Sequence, residues 1–138
     1  ALEIEKFNAE RKNFDKSITA QALEQIKKQG DEDAPATVVY APGWHKGVIG
    51  IVASRLTETY YRPTVVFTKS GDVIAASARS VHDFDLYNAL EKCSEHLIQF
   101  GGHMYAAGMT ALPEKWEDFK NAFQEIVAKS INEDQKQP

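Results

Sequence analysis

The chain has 138 residues, 43% of them hydrophobic and 26% charged. That balance suits one soluble globular domain and excludes a disordered polymer or a membrane span, because no apolar run approaches the roughly 20 residues a bilayer helix needs. A formal net charge of −4 argues against coating nucleic acid by bulk charge, and a single cysteine, Cys93, excludes an internal disulfide or a cysteine-built metal cluster.

Taken in order, residues 2–29 read as one long helix with Phe7, Phe14, Ile18, Ala22 and Ile26 on one stripe. Gly30 and the polar run Asp31-Glu32-Asp33-Ala34-Pro35 end it. Thr37-Val38-Val39-Tyr40 is a short buried-type strand closed by Pro42-Gly43. Residues 47–60 form a helix with Val48, Ile49, Val52, Leu56 and Tyr60 on one face, stopped by Pro63. Strands follow at 64–68 and 73–78, joined by Ser70-Gly71-Asp72 as a hairpin. Asp85 caps a helix striped by Leu86, Leu90, Cys93 and Leu97, which Gly101-Gly102 stops. Met104 to Ala111 is a strand of small residues. Pro113 opens the last helix, with Trp116, Phe119, Phe123, Ile126 and Val127 on its apolar face, and the tail after Ile131 is polar. The pattern predicts an α/β domain: a mixed central β-sheet with packed helices, preceded by a long N-terminal helix.

The chemistry concentrates in the middle. Residues 36–111 hold six acids, six bases, all four histidines and seven of the eight glycines. The run Gly43-Trp44-His45-Lys46-Gly47-Val48-Ile49-Gly50 leads from a strand into a helix N-terminus. Such a terminus attracts anions, and His45 and Lys46 add charge, although a plain strand-to-helix turn has the same glycines. In Ser77-Ala78-Arg79-Ser80, a guanidinium between two hydroxyls at a strand end suits a phosphate. An edge-strand arginine with solvated serines fits the same residues. Phe100-Gly101-Gly102-His103 offers backbone amides and an imidazole to a phosphate or oxyanion, or else a glycine helix stop with a surface histidine. Trp116, Phe119 and Phe123 read as core, Cys93 as an inert buried thiol, and His96 as solvated. Asp31/Asp33 and Asp83/Asp85 lie on loops. No Asp/His group has two-metal spacing, so no metal ligand is assigned.

The order and spacing of these motifs carry more than each does alone. Trp44-His45-Lys46-Gly47-Val48-Ile49-Gly50-Ile51-Val52-Ala53-Ser54-Arg55-Leu56 is followed by Tyr60-Tyr61-Arg62-Pro63 and Ser77-Ala78-Arg79-Ser80. Phe84-Asp85-Leu86, Phe100-Gly101-Gly102-His103 and Ala106-Ala107-Gly108 complete the series. The series resembles the DHH-associated domain of RecJ-type single-stranded-DNA exonucleases, in the DHH phosphoesterase superfamily. Lys46 stands where that family commonly has proline. The first helix, with Asn8 and Arg11, resembles the connector to the catalytic DHH domain.

The resemblance implies a connector helix and loop over residues 1–35, a substrate-binding domain over 36–131 and a polar tail over 132–138. It implies that His103, with Gly101 and Gly102, contacts the scissile phosphate. Arg79, with Ser77 and Ser80, would hold the 5′-terminal phosphate or nearby backbone, with His45 and Arg55 beside the same cleft. Two divalent metals, manganese or magnesium, would sit in the DHH domain of the same polypeptide and none in this one. The expected partners are single-stranded DNA and that DHH domain, and the expected compartment is the reducing cytoplasm, with no membrane. With Ala1 in place of an initiator Met, the chain reads as a piece of a longer exonuclease, and because the DHH metal ligands are missing from it, it is expected to be inactive alone. Two other readings remain at this point: the associated domain of a DHH phosphodiesterase for nano-oligonucleotides or cyclic dinucleotides, and a stand-alone binding module.

Overall fold

A computed structural model describes residues 2–81 and 84–130, with side chains of the first helix described from Lys16 onward. The elements are α1 (Leu2–Gln29), β1 (Thr37–Tyr40), α2 (Ile49–Tyr60), β2 (Thr64–Ser70), β3 (Val73–Arg79), α3 (Leu86–Lys92), β4 (Gln99–Gly102), β5 (Ala106–Ala111) and α4 (Trp116–Ser130). Short 3-10 turns occupy Ser94–His96 and Pro113–Lys115. The strands form one sheet in the order β1-β2-β3-β5-β4. β1 and β2 are parallel, as the α2 crossover between them requires, and every other pair is antiparallel. The expected mixed α/β sheet with packed helices and a long leading helix is therefore present.

Strand alternation sends side chains to two separate cores. On one face, Val38, Val65, Phe67, Ile74, Ala76, Ala78, Ala107 and Met109 pack against α3 and α4. There Phe119 meets Phe67 edge-on, with ring centroids 5.4 Å apart, and stacks on Phe123 at 5.5 Å. On the other face, Val39 and Val66 lie under Val52 and Leu56 of α2, and Ile18, Ala22 and Ile26 of α1 join the same cluster. The stripe read on the first helix is thus buried from Ile18 onward; Phe7 and Phe14 lie outside the described side chains.

One expectation needs correction. The helix opened by Asp85, whose carboxylate accepts the Asn88 N–H at 3.1 Å, ends at Lys92 instead of running to Gly101-Gly102. Those glycines lie in a fifth strand, β4, because Gln99–Gly102 pairs residue for residue with Ala107–Thr110. Ladder bonds to β5 outweigh the intrinsic weakness of glycine in a strand. The strand expected from Met104 correspondingly begins at Ala106.

Three side chains fasten the ends of β1. Gln25 accepts from the Tyr40 N–H and donates to the Tyr40 carbonyl, both at 2.9 Å. Gln124 does the same for Ala36, at 2.8 and 2.7 Å. Arg62, only 6% exposed, donates to Thr37 Oγ1 and to the carbonyls of Asp31, Glu32 and Ala34. Burial pulls its pKa down, while Tyr60, Asp31 and Asp33 oppose that pull. Asp31 also pairs with Lys120 at 2.6 Å, so it has a structural partner.

Candidate nucleic-acid interface

The site is built from one cross-strand row. Register places Val39, Val66, Ser77, Gly108 and Gly101 side by side across β1, β2, β3, β5 and β4. Directly opposed residues share a face, so all five belong to the face that α2 packs on. Val39 and Val66 are buried, Ser77 is half-buried, and Gly108 and Gly101 are exposed. The two glycines stand opposite each other, so side chain gives way to bare main chain there. The neighbouring row repeats the pattern: Thr64 is buried, while Arg79 and Ala106 are half-buried. A shelf with α2 as its wall results.

Arg79 closes β3 at the margin of this shelf. Its Nη1 donates to the Ala78 carbonyl at 2.8 Å. Its Nη2 rests on the first turn of α2, where a Cβ added to Gly50 would stand 3.0 Å from that nitrogen and 3.7 Å from Ser77 Oγ. Arg79 Nη2 and Ser77 Oγ therefore both border the space that a side chain at Gly50 would fill.

His103 lies in the turn between β4 and β5. Its N–H donates to the Ala106 carbonyl at 2.9 Å, and its Nδ1 accepts the Tyr105 N–H at 3.3 Å. An accepting Nδ1 leaves the proton on Nε2, which makes the outer edge of this exposed imidazole a donor. Gly102 has φ of +138°, and a Cβ there would collide with the Ala106 carbonyl and stand 2.6 Å from Ala107 Cα. Only glycine lets the chain turn here.

The turn is tied to the other motif: the Ser80 N–H donates to the Tyr105 carbonyl at 3.0 Å, and the Leu86 N–H to the Met104 carbonyl at 2.9 Å. Arg79 pairs in register with Ala106, whose carbonyl holds His103. The structure thus gathers Ser77, Arg79, Ser80, Gly101, Gly102 and His103 at one end of the β3-β5-β4 half-sheet. The Ser80 hydroxyl itself donates to the Phe84 carbonyl at 2.8 Å and so serves its own loop.

His45 is not gathered with them in the same way. His45 Nδ1 accepts the Gly47 N–H at 2.9 Å, and neighbouring Lys46 donates to Ser70 Oγ at 3.1 Å. Ser70 lies at the β2–β3 turn, at the other end of β3 from Arg79. Arg55 is exposed on α2. His96 is partly buried beside Glu95, at 3.6 Å, rather than solvated. Burial pushes the Cys93 thiol up to about 12, with Glu95 adding to the shift, so the thiol stays protonated at neutral pH. Among the described residues, no three His, Cys, Asp or Glu side chains are placed to hold a metal ion, and no helix is long and apolar enough to cross a membrane. Asp83 lies outside the described residues, as do the side chains of Asn8 and Arg11.

Gly50 and Gly108 were readable as glycines but not as parts of a surface. Their role is set by what they face across the fold, and no local signal in the sequence marks that.

These features define a class: an α/β domain with a mixed five-stranded sheet, covered on one face and half-covered on the other. Residues 33–129 match the family model described as the DHHA1 domain, and the chain belongs to that family. It is similar to the single-stranded-DNA-specific exonuclease RecJ of Bacillus subtilis (strain 168), with 38% identity over 136 residues, covering 97% of this chain and 17% of that protein. It is also similar to the crystal structure of RecJ from Thermus thermophilus in complex with Mg2+, at a TM-score of 0.81 and 29% identity, over 92% of this chain and 19% of that one. The Mn2+ complex of the same protein gives a TM-score of 0.83 and 28% identity, over 94% and 19%. The chain spans about a fifth of the length of these relatives.

Proposed function

We propose that this chain is the nucleic-acid-binding domain of a RecJ-like 5′-to-3′ single-stranded-DNA exonuclease, acting beside a DHH domain of the same polypeptide in the cytoplasm. The observation that carries the reading is the shelf itself: a glycine floor open to a strand, with a guanidinium, a hydroxyl and an imidazole donor at one end. Sugar-phosphate backbone can lie flat on main chain there, and every donor suits a phosphate oxygen.

Arg79 has the planar fork that phosphate recognition requires, and with Ser77 Oγ it holds the 5′-terminal phosphate. His103 presents Nε2–H to the scissile phosphate, and the amides of Gly101 and Gly102 lie beside it. These groups bind and orient the strand so that the reacting phosphorus is presented to the facing domain. Two divalent metals, manganese or magnesium, belong to that DHH domain and supply the activation of water for attack on the phosphodiester. The likeness to RecJ structures in complex with Mg2+ and Mn2+ supports a requirement for divalent metal in the whole polypeptide.

The test compares cleavage of 5′-phosphorylated single-stranded DNA with manganese by the whole polypeptide, its His103→Ala and Arg79→Ala variants, and the 138-residue chain alone. Each substitution is expected to lower kcat/KM on the order of a hundredfold while the fold survives. The chain alone is expected to leave the DNA intact. Normal cleavage by both variants would remove these residues from the site, and cleavage by the isolated chain would refute its dependence on a DHH domain.

A further inference from the structure

We infer that Gly50 is a positioning residue for Arg79: the missing side chain on the first turn of α2 is the seat that fixes the guanidinium at the shelf. This rests on the reading of Arg79 as the ligand of the 5′-terminal phosphate. The flexible arm of Arg79 is tied by a hydrogen bond from Nη1 to the Ala78 carbonyl. On its other side Nη2 lies against Gly50, where an added Cβ would approach to 3.0 Å, with Ser77 Oγ 3.7 Å away. The guanidinium is thus bonded to a strand carbonyl on one side and occupies the space left by the missing Gly50 side chain on the other, a space that Ser77 Oγ also borders.

The glycine is not explained by its local conformation. Gly50 lies within α2, and it is not among the positive-φ glycines, which are Gly30, Gly71 and Gly102. Helix propensity favours alanine there. A Cβ at 3.0 Å meets the far end of a flexible side chain, so the fold yields easily and the guanidinium moves instead. The cost of a larger residue falls on where the fork points, and a misplaced ligand loses transition-state contact without loss of fold.

The test measures, in the whole polypeptide, the ratio of kcat/KM for 5′-phosphorylated over 5′-hydroxyl single strands. The variants are Gly50→Ala, Gly50→Leu, Arg79→Ala and the double variant Gly50→Leu/Arg79→Ala. A general loss of fold lowers both substrates alike and leaves the ratio unchanged. The expected result is a graded fall, with Leu worse than Ala and reaching on the order of tenfold, and no further fall when Gly50→Leu is added to Arg79→Ala. If Arg79→Ala lowers the ratio and both Gly50 variants keep the wild-type value, the positioning role is overturned and the reading of Arg79 stands. If Gly50→Leu lowers the ratio equally in the Arg79→Ala background, the effect does not pass through the guanidinium and the inference also fails. If Arg79→Ala leaves the ratio unchanged, the phosphate role of Arg79 falls and the inference with it.

Discussion

Gly102 is the residue on which the His103 turn depends most. With φ of +138° and the Ala106 carbonyl in the space a Cβ would need, it has no substitute among L-residues. Gly102→Ala is expected to cost about 1–3 kcal/mol of backbone strain, or to release the hydrogen bond from His103 N–H to Ala106. Chemical denaturation of the isolated chain measures this, and unchanged stability would mean the turn relaxes freely. Gly101, its neighbour, has nothing within 4 Å of an added Cβ, so Gly101→Ala serves as the control in the same strand. Both glycines stand out in the sequence as a pair. Only the structure separates Gly102, where the backbone requires glycine, from Gly101, where an added side chain would meet open space.

At the level of elements, most of the domain was readable from periodicity. The α2 face, the β2–β3 hairpin and the aromatic face of α4 follow from helical and strand spacings. β4 was not, because four residues with two glycines carry no strand pattern; the strand exists through its pairing with β5. The protection of β1 was equally unreadable. An edge strand exposes unpaired main chain, and here Gln25 and Gln124, one from α1 and one from α4, reach in and pair with it at its two ends. Each glutamine makes two bonds, so Gln25→Ala and Gln124→Ala are each expected to cost about 1–3 kcal/mol. The ends are separate, so the costs should add to within about 0.5 kcal/mol in the double variant. Urea titrations of the three variants check this, and a strongly non-additive result would show that the two helices clamp the strand as one unit.

For the whole molecule, charge sets how tightly a single strand could be held under the proposed function. A net charge of −4 argues against gathering phosphates by bulk charge over a long stretch. The isolated chain should therefore bind single-stranded DNA weakly. With about two phosphates engaged, log affinity should fall against log salt with a slope of roughly −1.4. Fluorescence anisotropy across a salt series measures it. A slope several times steeper would reveal a wider electrostatic footprint than the shelf, and a flat response would rule out phosphate contact. The motif order pointed to this interface in the sequence, but its shape comes from strand register and helix packing, which bring Gly50, Ser77, Gly101 and Gly108 onto one surface.

The floor of that surface has a consequence for how it can be found. It is made by subtraction: Gly108 and Gly101 contribute by having no side chain to present. Experiments that trim side chains to alanine look for function in what is removed, and here truncation has nothing to remove. If Arg79 and His103 bind the strand as proposed, a survey by alanine replacement would find them and pass over the ground between them. The informative survey runs the other way, adding bulk residue by residue until the strand no longer fits.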